Sequence, residues 1–209
     1  MKRNGVLVFG MIAMLFASTP VGAQTLSKSE MKAVKALAKD YAKDGYKSTS
    51  MAYTMEEKIT EFRLKLKANT NLVEIVSQGE GVSSFSAEMA AENAASIRYA
   101  TAAGSVIKGG IEREFGNITE NYDKFHGSYI QNVAKFIMPL LKKQMMFSKK
   151  EGGTYYVKVG FLLDENKAKE AREKACDEAL NTIANGQVFG KSVRKYVDEE
   201  VYPDAEANE

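Results

Sequence analysis

A single alanine-rich stretch constrains the fold of this chain more than any other feature. Alanine has the strongest intrinsic helix propensity, and it recurs throughout residues 84–116. The alanines are Ala87, Ala90, Ala91, Ala94, Ala95, Ala100, Ala102 and Ala103. The stretch predicts a long helix that a sheet or another helix can approach closely, with a bend or an end at Gly109-Gly110. Its larger apolar residues are expected to anchor the helix in the core: Phe85, Met89, Ile97, Ile107, Ile111 and Phe115.

Two segments have the patterns of β-strands. In residues 154–163 every second residue from Tyr155 to Phe161 is apolar, which is typical of a half-buried strand. Gly152-Gly153 precedes it and predicts an antiparallel hairpin with a strand over residues 144–149. Residues 72–78 predict another strand, which Gly79-Glu80-Gly81 is expected to end or to bulge. Together the patterns predict an α+β fold, a small, mainly antiparallel sheet packed against the alanine-rich helix and further helices.

Helix-capping signals and tail composition give the domain organisation. Ser27 with Glu30, and Thr54 with Glu57, form capping boxes that begin two early helices. Asp164 caps a later helix whose buried stripe is predicted to be Ala168, Ala171, Ala175, Ala179 and Ile183. We expect a single domain over residues 24–197 with an N-terminal helical extension, and a frayed acidic tail over residues 198–209.

The first 23 residues have the three parts of a secretory signal peptide. A basic start precedes an apolar run over residues 5–17, and small residues precede a predicted cleavage between Ala23 and Gln24. The apolar run is shorter than the about 20 residues that span a bilayer, so we expect cleavage rather than anchoring. Gln24 occupies the place of a lipoprotein's cysteine. The sequence therefore predicts export to the periplasm or the medium, soluble after cleavage, without a lipid anchor or transmembrane segment.

Charge gives no support for binding to nucleic acid. The chain has 29 Lys and Arg residues against 27 Asp and Glu residues, and loss of Lys2 and Arg3 with the signal peptide balances them. A nucleic-acid-binding protein usually has a basic surplus on one face. We therefore expect neither a nucleic acid nor an anionic membrane as the partner.

Three motifs resemble those of a family of bacterial envelope proteins. They are Gly79-Glu80-Gly81, the segment 90–95 (AAENAA) and the segment 153–159 (GTYYVKV). Over about residues 72–163 the chain resembles the LPP-twenty-like lipoproteins and related uncharacterised secreted proteins of Gram-negative bacteria. The resemblance implies a long helix packed across a small antiparallel sheet, as in dodecins, and mostly no known enzymatic activity. Because the lipidation cysteine is missing, it implies no anchor, and it transfers no functional residues.

Residues able to perform catalysis or bind metal are scarce. His126 is the only histidine, so a Ser-His-Asp or Cys-His arrangement would have to use it. Its polar neighbours, residues 123–128, indicate a loop-like surface position. Cys176 is the only cysteine; the alanines around it favour a small buried residue, and the alternative is an exposed thiol that forms an intermolecular disulfide. We predict no metal site and no cofactor.

The predicted function follows from export and from this lack of chemistry. Tyr155 and Tyr156 point to opposite faces of a regular strand, so one exposed ring would mark an interaction surface, although cross-strand packing is favoured. The sequence predicts a non-enzymatic cell-envelope protein that acts through protein contacts or self-association. One alternative is a module that binds a small aromatic or lipidic ligand between sheet and helices. A hydrolytic enzyme that uses His126 is the other alternative.

Overall fold

The α+β architecture predicted from the sequence is confirmed by a computed structural model, which describes residues 25–115, 120–182, 186–199 and 201. The predicted signal peptide, residues 1–23, and Gln24 lie outside these residues. The helices are α1 (Lys28–Lys43), α2 (Met55–Ala68), α3 (Ser84–Phe115), α4 (Glu120–Ile137), α5 (Glu165–Asn181) and α6 (Gly186–Val197). The strands are β1 (Lys47–Ser48), β2 (Leu72–Gly81), β3 (Lys142–Glu151) and β4 (Thr154–Asp164).

The strands form one antiparallel sheet in the order β1-β3-β4-β2. Gly152 and Gly153 join β3 to β4 with φ angles of 55° and 90°, which suit a two-residue hairpin turn of type I′. The predicted hairpin is therefore confirmed. On the other side of β4, strand β2 pairs along its whole length, from Leu72 opposite Asp164 to Gly81 opposite Tyr155.

Helix α3 lies directly against β2. Its alanine face is buried at Ala87, Ala91 and Ala95, and β2 carries glycine beneath it. A Cβ atom on Gly79 would lie 2.1 Å from the carbonyl oxygen of Ala87, so only glycine allows this approach. The expectation that Gly79-Glu80-Gly81 ends the strand is confirmed, because β2 ends at Gly81. The alternative of a bulge there is wrong, because the register with β4 is continuous through Gly81.

The second half of α3 packs against helices α4 and α6. The helix continues through Gly109-Gly110 to Phe115, so the expected end there is wrong. The alternative of a bend stays a prediction. A Cβ atom on Gly110 would lie 2.4 Å from the ring of Tyr196 in α6. Gly110 thus gives space to a neighbouring aromatic ring rather than ending the helix.

Helices α1 and α2 cover the opposite face of the sheet. Both predicted capping boxes are confirmed, since Ser27 accepts from Glu30 N and Thr54 accepts from Glu57 N. The residues of this second core are Val34, Tyr41, Tyr46, Ile59, Phe62, Met145, Phe147 and Leu162. The sheet therefore separates two apolar cores, the larger of which lies beneath α3.

The C-terminal helices complete the larger core. Asp164 caps α5 by accepting from the backbone N–H groups of Asn166 and Lys167. The predicted stripe is buried at Ala168, Ala171, Ala175 and Ala179, while Ile183 lies outside the described residues. Val201 is also buried, so the core extends into the segment predicted to be a frayed tail. Residues 202–209 of that segment are not among those described.

Candidate functional site

An exposed apolar strip runs along the outer side of α3. Val82, Phe85, Met89 and Ile97, which we call the α3 strip, have 89%, 72%, 43% and 47% of their surface exposed. The expectation that Phe85, Met89 and Ile97 anchor the core is wrong. At about 100° per residue these side chains point away from the alanine face that packs on the sheet. Ile107 and Ile111 are buried as predicted, and the Phe115 side chain is not described.

Beside the α3 strip, strand β2 forms one edge of the sheet. In the described chain, β2 pairs with the strand β4. In an antiparallel strand, each residue directs its N–H and its C=O to the same side of the strand, and successive residues alternate between the two sides. Arg98 Nη1 donates to the carbonyl oxygen of Val76 at 3.1 Å, which identifies Val76 as facing the free side. By alternation Glu74, Gln78 and Glu80 also face it. We call these four residues the β2 edge.

The two edges of the sheet differ in how they are protected against pairing with another chain. Beyond β3 lies the short strand β1, and β3 itself contains Lys142, Lys143, Lys149 and Lys150, with a register shift between Lys143 and Met145. Lysines, bulges and short strands are the usual means by which proteins block an edge. Strand β2 contains no lysine and no proline, and its register with β4 is continuous. The β2 edge is therefore open to pairing.

A groove of about 620 Å³ lies between α1 and α2. Its apolar lining is Ala33, Val34, Leu37, Ile59 and Leu66. Its charged residues are paired: Lys67 Nζ lies 2.9 Å from Glu30 Oε2, and Arg63 contacts Glu74. The hydrogen bond from Lys67 and the one from Ser27 N lower the pKa of Glu30 to about 2. Burial raises the pKa of Glu74 despite the nearby guanidinium.

A buried arginine holds the C-terminal helix. Arg172 of α5 is 1% exposed, and its Nη1 lies 2.6 Å from Glu165 Oε1 and contacts the hydroxyl of Tyr99. Burial raises the pKa of Tyr99. Nε and Nη2 of Arg172 donate to the carbonyl oxygens of Val197 and Glu199 at 3.1 and 3.2 Å. The guanidinium therefore binds the free carbonyl groups at the end of α6.

Arg172 was not among the residues predicted from the sequence, although its position carries a signal. Arg172 stands four residues after Ala168 and three before Ala175, on the stripe predicted to be buried. A charged residue on a buried stripe requires a partner of opposite charge. Glu165, in the first turn of the same helix, supplies it.

The two residues considered for catalysis occupy structural positions. His126 does not lie in a surface loop as expected; it is half-buried in α4, 3.0 Å from the carbonyl oxygen of Gly104 and stacked on Tyr122. Among the hydrogen bonds of the described chain, none joins His126 to a serine, cysteine or carboxylate. Cys176 is 1% exposed, and burial raises its pKa to about 12. The predicted burial of Cys176 is confirmed, which excludes the alternative of an exposed thiol.

Tyr155 and Tyr156 contact opposite cores, as their alternation predicts. Both are half-buried, and Nζ atoms of Lys150 and Lys149 lie 4.8 and 5.2 Å from their ring centres. A role for either ring in partner binding stays a prediction. In the described ranges, no group of three or more His, Cys, Asp or Glu side chains is placed to hold a metal ion. None of the described helices combines the length and apolar content needed to cross a membrane.

No protein-family model matches the chain, no curated protein matches its sequence, and no solved structure matches its fold. The resemblance to the LPP-twenty-like envelope proteins therefore stays a prediction from the motifs, as does the likeness to dodecins.

Proposed function

We propose that this chain is an exported, non-enzymatic cell-envelope protein that acts through protein contacts. The observation that carries the proposal is the exposure of the α3 strip on a helix whose opposite face is fully buried. The contact surface consists of the α3 strip and the adjacent β2 edge. Export rests on the signal-peptide pattern of residues 1–23.

The side chains of the α3 strip suit a protein interface. Aromatic residues and methionine are enriched at interface centres, and Phe85 and Met89 stand four residues apart on one side of α3. On the same side of the helix, the exposed polar residue Asn93 lies between Met89 and Ile97, and the exposed Thr101 lies beyond Ile97. An apolar cluster with a polar surround is typical of a surface that is covered by a partner.

Size-exclusion chromatography with crosslinking, and a pull-down from envelope extract, test the contact surface. We expect the wild type to self-associate or to retain a specific partner, and the double variant Phe85→Ser/Met89→Ser to lose that association. The matched control is Met51→Ser, because Met51 is fully exposed but lies before α2, outside the surface. A strictly monomeric wild type without a retained partner contradicts the proposal, and so does equal retention by the double variant.

Fractionation with intact-mass analysis tests export. We expect a soluble envelope fraction that contains a chain beginning at Gln24. A full-length chain confined to the cytoplasm would contradict export. It would not bear on the contact surface, which the chromatography and pull-down experiments test.

The α1–α2 groove favours a second candidate function, the binding of a small apolar ligand. Because Glu30, Arg63 and Lys67 already have ion-pair partners, the ligand that best fits the groove is uncharged. Native mass spectrometry of protein from its own host should show a co-purifying mass that Ala33→Trp removes by filling the groove. An absence of any co-purifying mass in the wild type would refute this function.

A further inference from the structure

We infer that the β2 edge binds an extended segment of another protein, in which basic residues alternate with small apolar ones, as an added strand of the sheet. This inference rests on the proposed contact surface and names the kind of partner that it takes. Three features support it: the unpaired outer backbone of β2, the charge of Glu80, and the small side chains of α3 beside the edge.

The backbone of β2 is prepared for a second strand. Ten residues of β2 pair with β4 without a register shift, so the edge is regular over its full length. At the β2 edge, Arg98 Nη1 donates to Val76 O. The remaining outward N–H and C=O groups are those that an added strand binds in β-augmentation.

The charge of Glu80 favours a basic residue opposite it in the added strand. Strand β2 contains Glu74 and Glu80 and no basic residue. Arg63 pairs with Glu74, whereas Glu80 is exposed and has no ion-pair partner in the described part of the chain. Side chains directly opposite each other in neighbouring strands interact, so a lysine or arginine opposite Glu80 is favoured.

Helix α3 selects small apolar side chains on the other face of the added strand. Arg98 reaches the β2 edge, and Ala90 and Ala94 stand on the same helical row at spacings of four residues. Both alanines are half-buried and leave space beside the edge. Ile97 of the α3 strip follows on the outer side, so apolar side chains of an added strand would contact it.

A second copy of this chain suits the edge less well. If two β2 strands paired about a two-fold axis at Ser77, Glu74 of each copy would lie opposite Glu80 of the other, and like charges opposed in this way destabilise the pair. The lysine-rich strand β3 does not supply the missing basic strand, because β1 pairs with Phe147 and Ser148. This register is therefore disfavoured for a second copy, and a basic segment of a different protein suits Glu80 better.

The test uses a synthetic ten-residue peptide of alternating lysine and valine, followed by fluorescence anisotropy and by amide hydrogen exchange of the full-length protein. We expect the peptide to bind at low salt and to protect the amides of Glu74, Val76, Gln78 and Glu80. A glutamate–valine peptide should not bind. N-methylation of every lysine in the lysine–valine peptide should weaken binding, because the lysines that lie opposite Glu80 direct their N–H groups to β2.

Two variants of the protein and one control locate the binding. Glu80→Lys should weaken binding about fivefold, because an attractive charge pair becomes a repulsive one. Gln78→Pro should abolish binding, since it removes an outward N–H that no strand of the described sheet uses. Glu173→Lys makes the same charge change at an exposed position of α5 and should leave the affinity unchanged.

Several outcomes would overturn the inference. Equal binding of the lysine and glutamate peptides would exclude the charge argument, and protection elsewhere in the protein would exclude the edge. Protection of β2 that depends on protein concentration without peptide would assign the edge to a second copy. If the peptide fails while Phe85→Ser/Met89→Ser still abolishes partner retention, the proposed function stands and the added strand is refuted.

Discussion

Replacing Gly79 by alanine tests the contact between α3 and the sheet directly. The new Cβ atom would lie 2.1 Å from the carbonyl oxygen of Ala87, 2.4 Å from the amide nitrogen of Ala91 and 3.0 Å from the carbonyl carbon of Ala90. All three are backbone atoms of α3, so no side-chain rotation relieves the overlap. Since carbon atoms make favourable contacts at about 3.5–4.0 Å, the helix or the strand must move by more than about 1 Å.

The expected loss of stability is large for a single methyl group. Overpacking of a well-packed core costs about 1–3 kcal/mol, and a rigid backbone on both sides places Gly79→Ala at the upper end. Displacement of α3 also disturbs the buried hydrogen bond of 2.7 Å from Ser77 Oγ to Ala91 O. Its loss adds about 1 kcal/mol. We therefore expect a decrease of about 3–4 kcal/mol in the free energy of unfolding.

Urea denaturation monitored by circular dichroism measures this decrease, and Gly109→Ala supplies the matched control. A Cβ atom on Gly109 would meet no atom within 4 Å, and alanine favours the helix. The control should raise the free energy of unfolding by about 0.5–1 kcal/mol. A Gly79→Ala variant within about 0.5 kcal/mol of the wild type would refute the reasoning, because α3 would then not lie on the β2 backbone.

Three further perturbations have defined outcomes. Arg172→Met should lower the free energy of unfolding in urea by about 3–5 kcal/mol, because it leaves the Glu165 carboxylate without its buried partner; Arg172→Met combined with Glu165→Gln should recover part of this loss, and no recovery would contradict the pairing. Because the pKa of Glu30 is lowered from 4.5 to about 2, its ionised carboxylate stabilises the fold fully at pH values above 4.5, and this contribution is lost as the pH falls towards about 2. Glu30→Gln should therefore flatten the pH dependence of the melting temperature between these two pH values. An unchanged profile would argue against the Lys67 contact. Cys176 should react with a thiol reagent at pH 8 only after unfolding, and rapid reaction of the native protein would contradict its burial.

Local sequence patterns predicted most of the secondary structure because their causes are local. The capping side chains of Ser27 and Thr54 bind backbone groups three residues away. The Gly152-Gly153 turn requires two positive φ angles in adjacent residues. Such interactions involve neighbours in the sequence, so a pattern of a few residues determines them.

The features that the sequence did not predict depend on distant neighbours. Gly79 and Gly110 are glycines because other elements approach them, and no residue near them in the sequence indicates this. In α3 the apolar pattern alone did not show that the alanines rather than Phe85 face the sheet, because large apolar residues are usually buried. The free β2 edge could not be predicted either, since strand order is a property of the whole sheet.

The position of β2 in the sheet also bears on the order in which the molecule folds. The β3–β4 hairpin joins neighbouring segments, whereas β2 pairs with β4 across the entire length of α3 and α4. Contacts between distant segments require loop closure and form slowly. During synthesis β2 leaves the ribosome long before β4 is made. Until then, α3 is the element of the finished fold that can cover the apolar residues of β2. Partial unfolding that releases β2 from β4 would again leave β2 covered by α3 alone, while β3 and β4 stay paired as a hairpin.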